Sequence, residues 1–232
     1  MIKKHIPNAL TCANAVSGGI GIVKCFEGAL HEAAAMILIA AVFDFFDGFA
    51  ARMLKVSSPM GKELDSMADM VSFGVLPAMI MYKLMQGVTG DPYLPLISML
   101  IVAFSALRLA KFNIDTRQSD SFIGVPTPTN ALLIGSLPVI KVFHPEYAPY
   151  IDNLWLLIAV TVIMSLLLVA ELPLLALKFK DFNFANNKFR FILIGTALIL
   201  IVAFKALSVP LVVAAYIVLS VVNNMAGSTG GK

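Results

Sequence analysis

The chain has 232 residues, 59% of them hydrophobic and 13% charged, with a mean hydropathy of +0.88. That composition excludes a soluble globular core and describes a single integral membrane domain, expected over residues 1–225, with a disordered tail over 226–232. The net charge of +3 is small, so no nucleic-acid partner is expected and the placement of the charges matters more than their sum.

The basic start, Met1 to His5, followed by an apolar run, has the outline of a secretory leader. Asn8, Thr11 and Asn14 interrupt that run, and Val23 and Lys24, which precede Cys25, are not the small residues a cleavage site needs. A retained first helix is therefore expected. Its polar stripe of Asn8, Thr11, Asn14 and Gly18 has two readings, a helix-packing seam or a ligand-facing strip. Cys12 and Cys25 lie on that same helix, roughly 20 Å apart at 1.5 Å per residue, too far for a disulfide.

Further apolar spans are expected at 29–51, 65–85, 93–109, 129–143, 154–177, 191–204 and 209–222, giving an all-α polytopic bundle of about eight transmembrane helices. The segments beginning at Thr129, Phe191 and Val209 are short for a bilayer. With the N-terminus inside and every segment spanning, 13 of the 17 basic residues fall on the inner side and 4 on the outer. That asymmetry predicts an inner, plasma-type membrane with the acidic residues near the cytoplasmic face. His5, His31 and His144 make no ligand spacing and read as interfacial groups. Glu171, late in its apolar segment, is either a functional intramembrane acid or a paired structural one.

The costliest stretch runs from Asp44 to Asp69. On a helix, Asp44, Asp47, Gly48, Ala51 and Arg52 share one side, as do Gly61, Asp65, Asp69 and Ser72 on the next. Between them Ser57, Ser58 and Pro59 call for a turn, so the two acidic faces can meet. Four carboxylates beside apolar surface either keep their protons or hold cations among them. Oxygen-only ligands favour a hard ion, Mg²⁺, Mn²⁺ or Ca²⁺. Gly48, Ala51 and Gly61 leave space for a ligand to approach the backbone, and Arg52 offers a planar fork for phosphate oxygens.

Asp44-x2-Asp47-Gly48-x2-Ala51-Arg52-x8-Gly61-x3-Asp65-x3-Asp69 resembles, with no departure, the signature of the CDP-alcohol phosphotransferases. The stretches 65–77, 108–113 and 124–128 resemble the phosphatidylserine synthase branch of that family. The resemblance implies transfer of a phosphatidyl group from CDP-diacylglycerol to L-serine, releasing CMP, assisted by two divalent cations, Mg²⁺ or Mn²⁺. It implies that Asp44 and Asp65 bridge both ions, that Asp47 completes one and Asp69 touches the other, and that Asp69 is the general base. Asn8, Thr11, Gly48, Ala51, Arg52, Ser58 and Gly61 would border the CDP group. Arg108 and Lys111, with Asn113 beside them, are the expected partners of the serine carboxylate. The loop from Phe112 to Pro128 is expected to border the acceptor site or to be a plain solvated connection. A homodimer in the lipid bilayer is the expected assembly. Two alternatives stand beside this reading: another acceptor, glycerol 3-phosphate or an inositol compound, and a divalent-cation transporter.

Overall fold

The computed structural model describes residues 5–56, 58–115, 122–175 and 184–229. Lys3, Lys4, Ser57, Arg117, Asp120, Lys178, Lys180 and Lys232, on which the expected turn, loop and charge asymmetry partly rest, lie outside the described residues.

The architecture is a helix bundle. Helix α1 (His5–Phe26) and helix α2 (Leu30–Met53) form an antiparallel pair turned through Gly28, whose φ of +78° suits the one residue without a Cβ. Helix α3 (Pro59–Asp69) runs through a π-helical turn, Met70–Val75, into α4 (Leu76–Gln86). A 3-10 turn, Leu94–Ser98, leads into α5 (Met99–Ile114). Strand β1 (Phe122–Ile123) precedes α6 (Thr127–Phe143), the short α7 (Ala148–Ile151) and α8 (Leu154–Val169). Strand β2 (Pro173–Leu174) pairs antiparallel with β1, Phe122 opposite Leu174. The chain then enters α9 (Phe184–Phe204) and α10 (Ser208–Thr229).

Helix α4 is the axis of the core. Leu76, Ile80, Met81 and Met85 are fully enclosed and pack with Cys25, Ile37, Ile134 and Leu157 from four other helices. Small residues on α1 bring the backbones close: a Cβ on Gly18 would lie 2.8 Å from Ser72 Cα, and one on Gly21 would lie 2.5 Å from Leu76 Cδ2. Such close approach is how membrane helices gain packing without a hydrophobic drive between them. Helix α2 shows both of its environments. Asp47 and Ala50 are buried, whereas Phe45 and Phe49 stack on the outer surface at 6.4 Å.

The protein is a multi-pass membrane protein by the length and apolarity of its helices. Five stretches meet that measure, and six when the bent pair Pro145–Ile151 and Leu154–Val169 is taken as one. The expected eight is not reached on this count. One reason is that α6, at 17 residues, is short. Another is that Asn187–Met225 counts as one stretch, although α9 and α10 within it pack side by side. The chain turns between them at Lys205, which holds a φ of 46°. The span expected over 154–177 is also shorter than its apolar sequence. Helix α8 stops at Val169, because Ala170 is extended and Leu172 and Pro173 enter the β1–β2 pairing. Helix α10 continues to Thr229, into the stretch expected as a tail. Both cysteines are free.

Candidate active site

The site is built at the junction of α1, α2 and α3. Helix α2 ends in a turn whose Lys55 takes a left-handed φ of 52°, and α3 starts on Ser58. The Ser58 hydroxyl accepts the Gly61 amide at 3.0 Å, and Pro59 occupies the first helical position, where a missing N–H costs nothing. This tight reversal sets the C-terminal half of α2 against α3, so that the two acidic faces converge.

Asp44, Asp47 and Asp65 each bring a carboxylate oxygen within 4.8 Å of the others. An oxygen-only cluster of this size fits a hard divalent cation, and this Asp triad can hold a metal ion. Asp69, one helical turn deeper on α3, adjoins Asp44. Helix α1 fixes the outer carboxylates: Thr11 Oγ1 donates to Asp47 Oδ2 at 2.7 Å, and Asn14 Nδ2 donates to Asp69 Oδ1 at 3.3 Å. The Ser72 hydroxyl sits 2.5 Å from Asn14 Oδ1 and so orients that amide. The π-helical turn begins immediately after Asp69. A single extra residue per turn rotates the remainder of the helix, which lets Asp65 and Asp69 face the cluster while Ser72 and Gly74 face α1 and α5.

Beside the triad opens a cavity of about 550 Å³. Asn8, Thr11, Gly48, Ala51, Arg52, Ser58 and Gly61 all line it, together with Asp47 and Asp65. A Cβ on Gly61 would lie 3.1 Å from Ser58 Oγ and 3.4 Å from Asn8 Oδ1, so the missing side chain keeps this wall open. Lys55 and Lys62 line it as well, giving the cavity three cations with Arg52. Both lysines also lie close to the acidic residues along the chain. Their position at the rim comes from the reversal after Met53, the turn that Ser58 and Pro59 call for.

The residues expected around the acceptor are not gathered in that cavity. Arg108 is 7% exposed; its Nε donates to the Val125 carbonyl at 2.6 Å. It stands close enough to Asp69 and Tyr216 to interact with both electrostatically. Lys111 is instead paired with Glu171. That pairing resolves the status of Glu171, which lies past the end of α8 and is exposed rather than buried within a span. Asn113 is a bracket between helices, its Nδ2 donating to Ser66 Oγ at 2.8 Å while its carbonyl accepts Lys62 Nζ at 2.6 Å. Tyr216, next to Arg108, was not legible in the sequence, where it is one aromatic in an apolar helix. The buried amide of Asn130 and the hydroxyl of Ser105, neither with a side-chain hydrogen-bond partner among the described residues, were likewise not singled out.

The profile of the CDP-alcohol phosphatidyltransferase family matches residues 4–171. The chain belongs to this family. Among its relatives, a CDP-diacylglycerol–serine O-phosphatidyltransferase of Bacillus subtilis strain 168 is 38% identical over 125 residues, covering 53% of this chain and 70% of the relative. The archaetidylserine synthase of Methanothermobacter thermautotrophicus is 34% identical over 163 residues, 68% of this chain and 66% of the relative. A CDP-diacylglycerol–serine O-phosphatidyltransferase of Helicobacter pylori strain J99 is 31% identical over 200 residues, 73% of this chain and 84% of the relative. As a CDP-alcohol phosphatidyltransferase, this chain carries its acidic cluster and the adjoining cavity wholly within the matched region.

Proposed function

We propose that this protein transfers the phosphatidyl group of CDP-diacylglycerol to L-serine, forming phosphatidylserine and CMP. The observation that carries the reading is the Asp44–Asp47–Asp65 cluster opening onto a cavity lined by Arg52, Lys55 and Lys62. That pairing of acids with cations suits a pyrophosphate held through a metal. Three relatives whose names specify a serine product or acceptor support the choice of alcohol.

In this reading Asp44, Asp47, Asp65 and Asp69 would hold two divalent ions, Mg²⁺ or Mn²⁺, which when bound would supply positive charge to the pyrophosphate and to the departing CMP. Asn8, Thr11, Gly48, Ala51, Arg52, Ser58 and Gly61 receive the CDP group, with Lys55 and Lys62 adding charge at its phosphates. Asp69 takes the proton from the serine hydroxyl as that oxygen bonds to the phosphorus carrying diacylglycerol and the bond to CMP breaks. Arg108, held in place by the Val125 carbonyl, is the cation for the serine carboxylate. Lys111 is engaged by Glu171 and Asn113 by Ser66 of α3, which leaves Arg108 as the cation assigned to the carboxylate.

The same reading puts residues 1–225 in one catalytic domain of eight crossings in a cell membrane, the acidic end cytoplasmic, assembled as a homodimer. The deciding experiment supplies purified protein in micelles with CDP-diacylglycerol and, separately, serine, glycerol 3-phosphate or inositol, with and without EDTA. Serine-dependent, EDTA-sensitive CMP release with phosphatidylserine as the product is expected. Release with another alcohol alone overturns the acceptor, and cation flux in liposomes without CMP release favours a transporter.

A further inference from the structure

A second cavity, of about 470 Å³, lies between α6, α9 and α10. It differs in chemistry from the first. Leu132, Leu193, Ala197 and Val212 make its walls, and Tyr216 and Pro126 stand at one end. That end is next to the acidic site. Pro126 directly succeeds Val125, whose carbonyl anchors Arg108, and Arg108 interacts with both Tyr216 and Asp69. The other flank reaches the outer apolar surface at Ile201 of α9, which lines the cavity and is 52% exposed.

We infer that this cavity receives an acyl chain of the lipid substrate, entering beside Tyr216 and lying between α6 and the α9–α10 pair; the inference rests on the proposed phosphatidyl transfer. The phosphorus under attack sits at the acidic cluster, so the groups it joins must leave in different directions. The polar cavity with its three cations suits the nucleotide. An aliphatic chain needs a path free of unsatisfied polar groups, and the cavity beside Tyr216 supplies one that starts at the site and ends at lipid. Helix α10 is secured for this role: the Ser220 hydroxyl accepts the Leu175 amide at 3.2 Å, and Asn224 Nδ2 donates to the Pro173 carbonyl at 2.7 Å. The last two helices, which lie beyond the matched family region, thereby gain a function as the outer wall of a lipid-chain slot.

The test is photolabelling of the full chain in nanodiscs with a CDP-diacylglycerol carrying a diazirine midway along one acyl chain, and then peptide mapping. Label within 193–201 and 209–216, suppressed by excess unlabelled CDP-diacylglycerol, is expected. Label that excess donor does not suppress, or that falls outside α6, α9 and α10, overturns the slot. A second arm compares dioleoyl and dioctanoyl donors with Ala197→Phe and Val212→Phe. Each substitution should lower the ratio of kcat/KM for the long over the short donor at least tenfold, and an unchanged ratio in both variants counts against the slot. Absence of CMP release from the parent protein would instead remove the proposed reaction, while the labelling pattern still reports on the cavity.

Discussion

Thr11 Oγ1 donates a 2.7 Å hydrogen bond to Asp47 Oδ2, across 36 residues of chain. The bond ties the first helix to the acidic cluster and fixes the direction in which Asp47 presents its other oxygen. Groups that orient a metal ligand in this way typically contribute about 10–100-fold to metal affinity or activity. Thr11→Val, which keeps the shape and removes the hydroxyl, should raise the Mg²⁺ or Mn²⁺ concentration for half-maximal CMP release by about that factor. A metal titration at saturating donor checks it, and an unshifted midpoint would show that Asp47 is held adequately without Thr11.

Asp69 and the triad should respond differently to amidation. As the proton acceptor, Asp69→Asn should lower transfer by about 10²–10⁴-fold while binding of CDP-diacylglycerol stays measurable by calorimetry. Asp65→Asn, within the triad, should weaken metal-dependent donor binding itself. An active Asp69→Asn enzyme would sink the base assignment.

Arg108 is the buried cation beside Asp69, bonded through Nε to Val125. Arg108→Ala should raise the apparent KM for serine much more than that for the lipid donor. Arg108→Lys should restore little, because an ammonium cannot hold the Val125 carbonyl and also present a planar fork. Steady-state kinetics with each substrate varied separately decide it, and equal KM values in mutant and parent would remove Arg108 from the acceptor site.

Gly18 faces Ser72 with no room for a side chain, the nearest backbone atom lying 2.8 Å from where its Cβ would be. Gly18→Ala should therefore push α1 away from the π-helical turn, destabilising the fold by about 1–3 kcal/mol and loosening the Asn14–Asp69 contact. Thermal unfolding in detergent should show a lower midpoint for Gly18→Ala, whereas Gly19→Ala, where no atom lies within 4 Å of the added Cβ, should leave it nearly unchanged.

The features legible in the sequence alone are local and periodic. Asp44, Asp47, Gly48, Ala51 and Arg52 share a face because helical spacing of three and four allows no other arrangement. Ser58 and Pro59 announce the start of α3 because capping depends on neighbouring backbone groups. The polar stripe on α1 was legible as a stripe, but its choice between packing seam and ligand face was not. In the structure Gly18 packs against Ser72, while Asn8 and Thr11 line the cavity.

Pairings between residues far apart in the chain were settled by tertiary structure. Lys111 reads as an acceptor-site cation until Glu171, 60 residues later, is found beside it. Glu171 reads as an intramembrane acid until β2 pairs with β1 and ends the span early. Tyr216 joins Arg108 only because α10 folds back along α9 and bonds to β2. Hydropathy records how much each segment avoids water but not which neighbour it meets, and in an apolar bundle many neighbours are nearly equivalent until small residues and a few polar bonds choose among them.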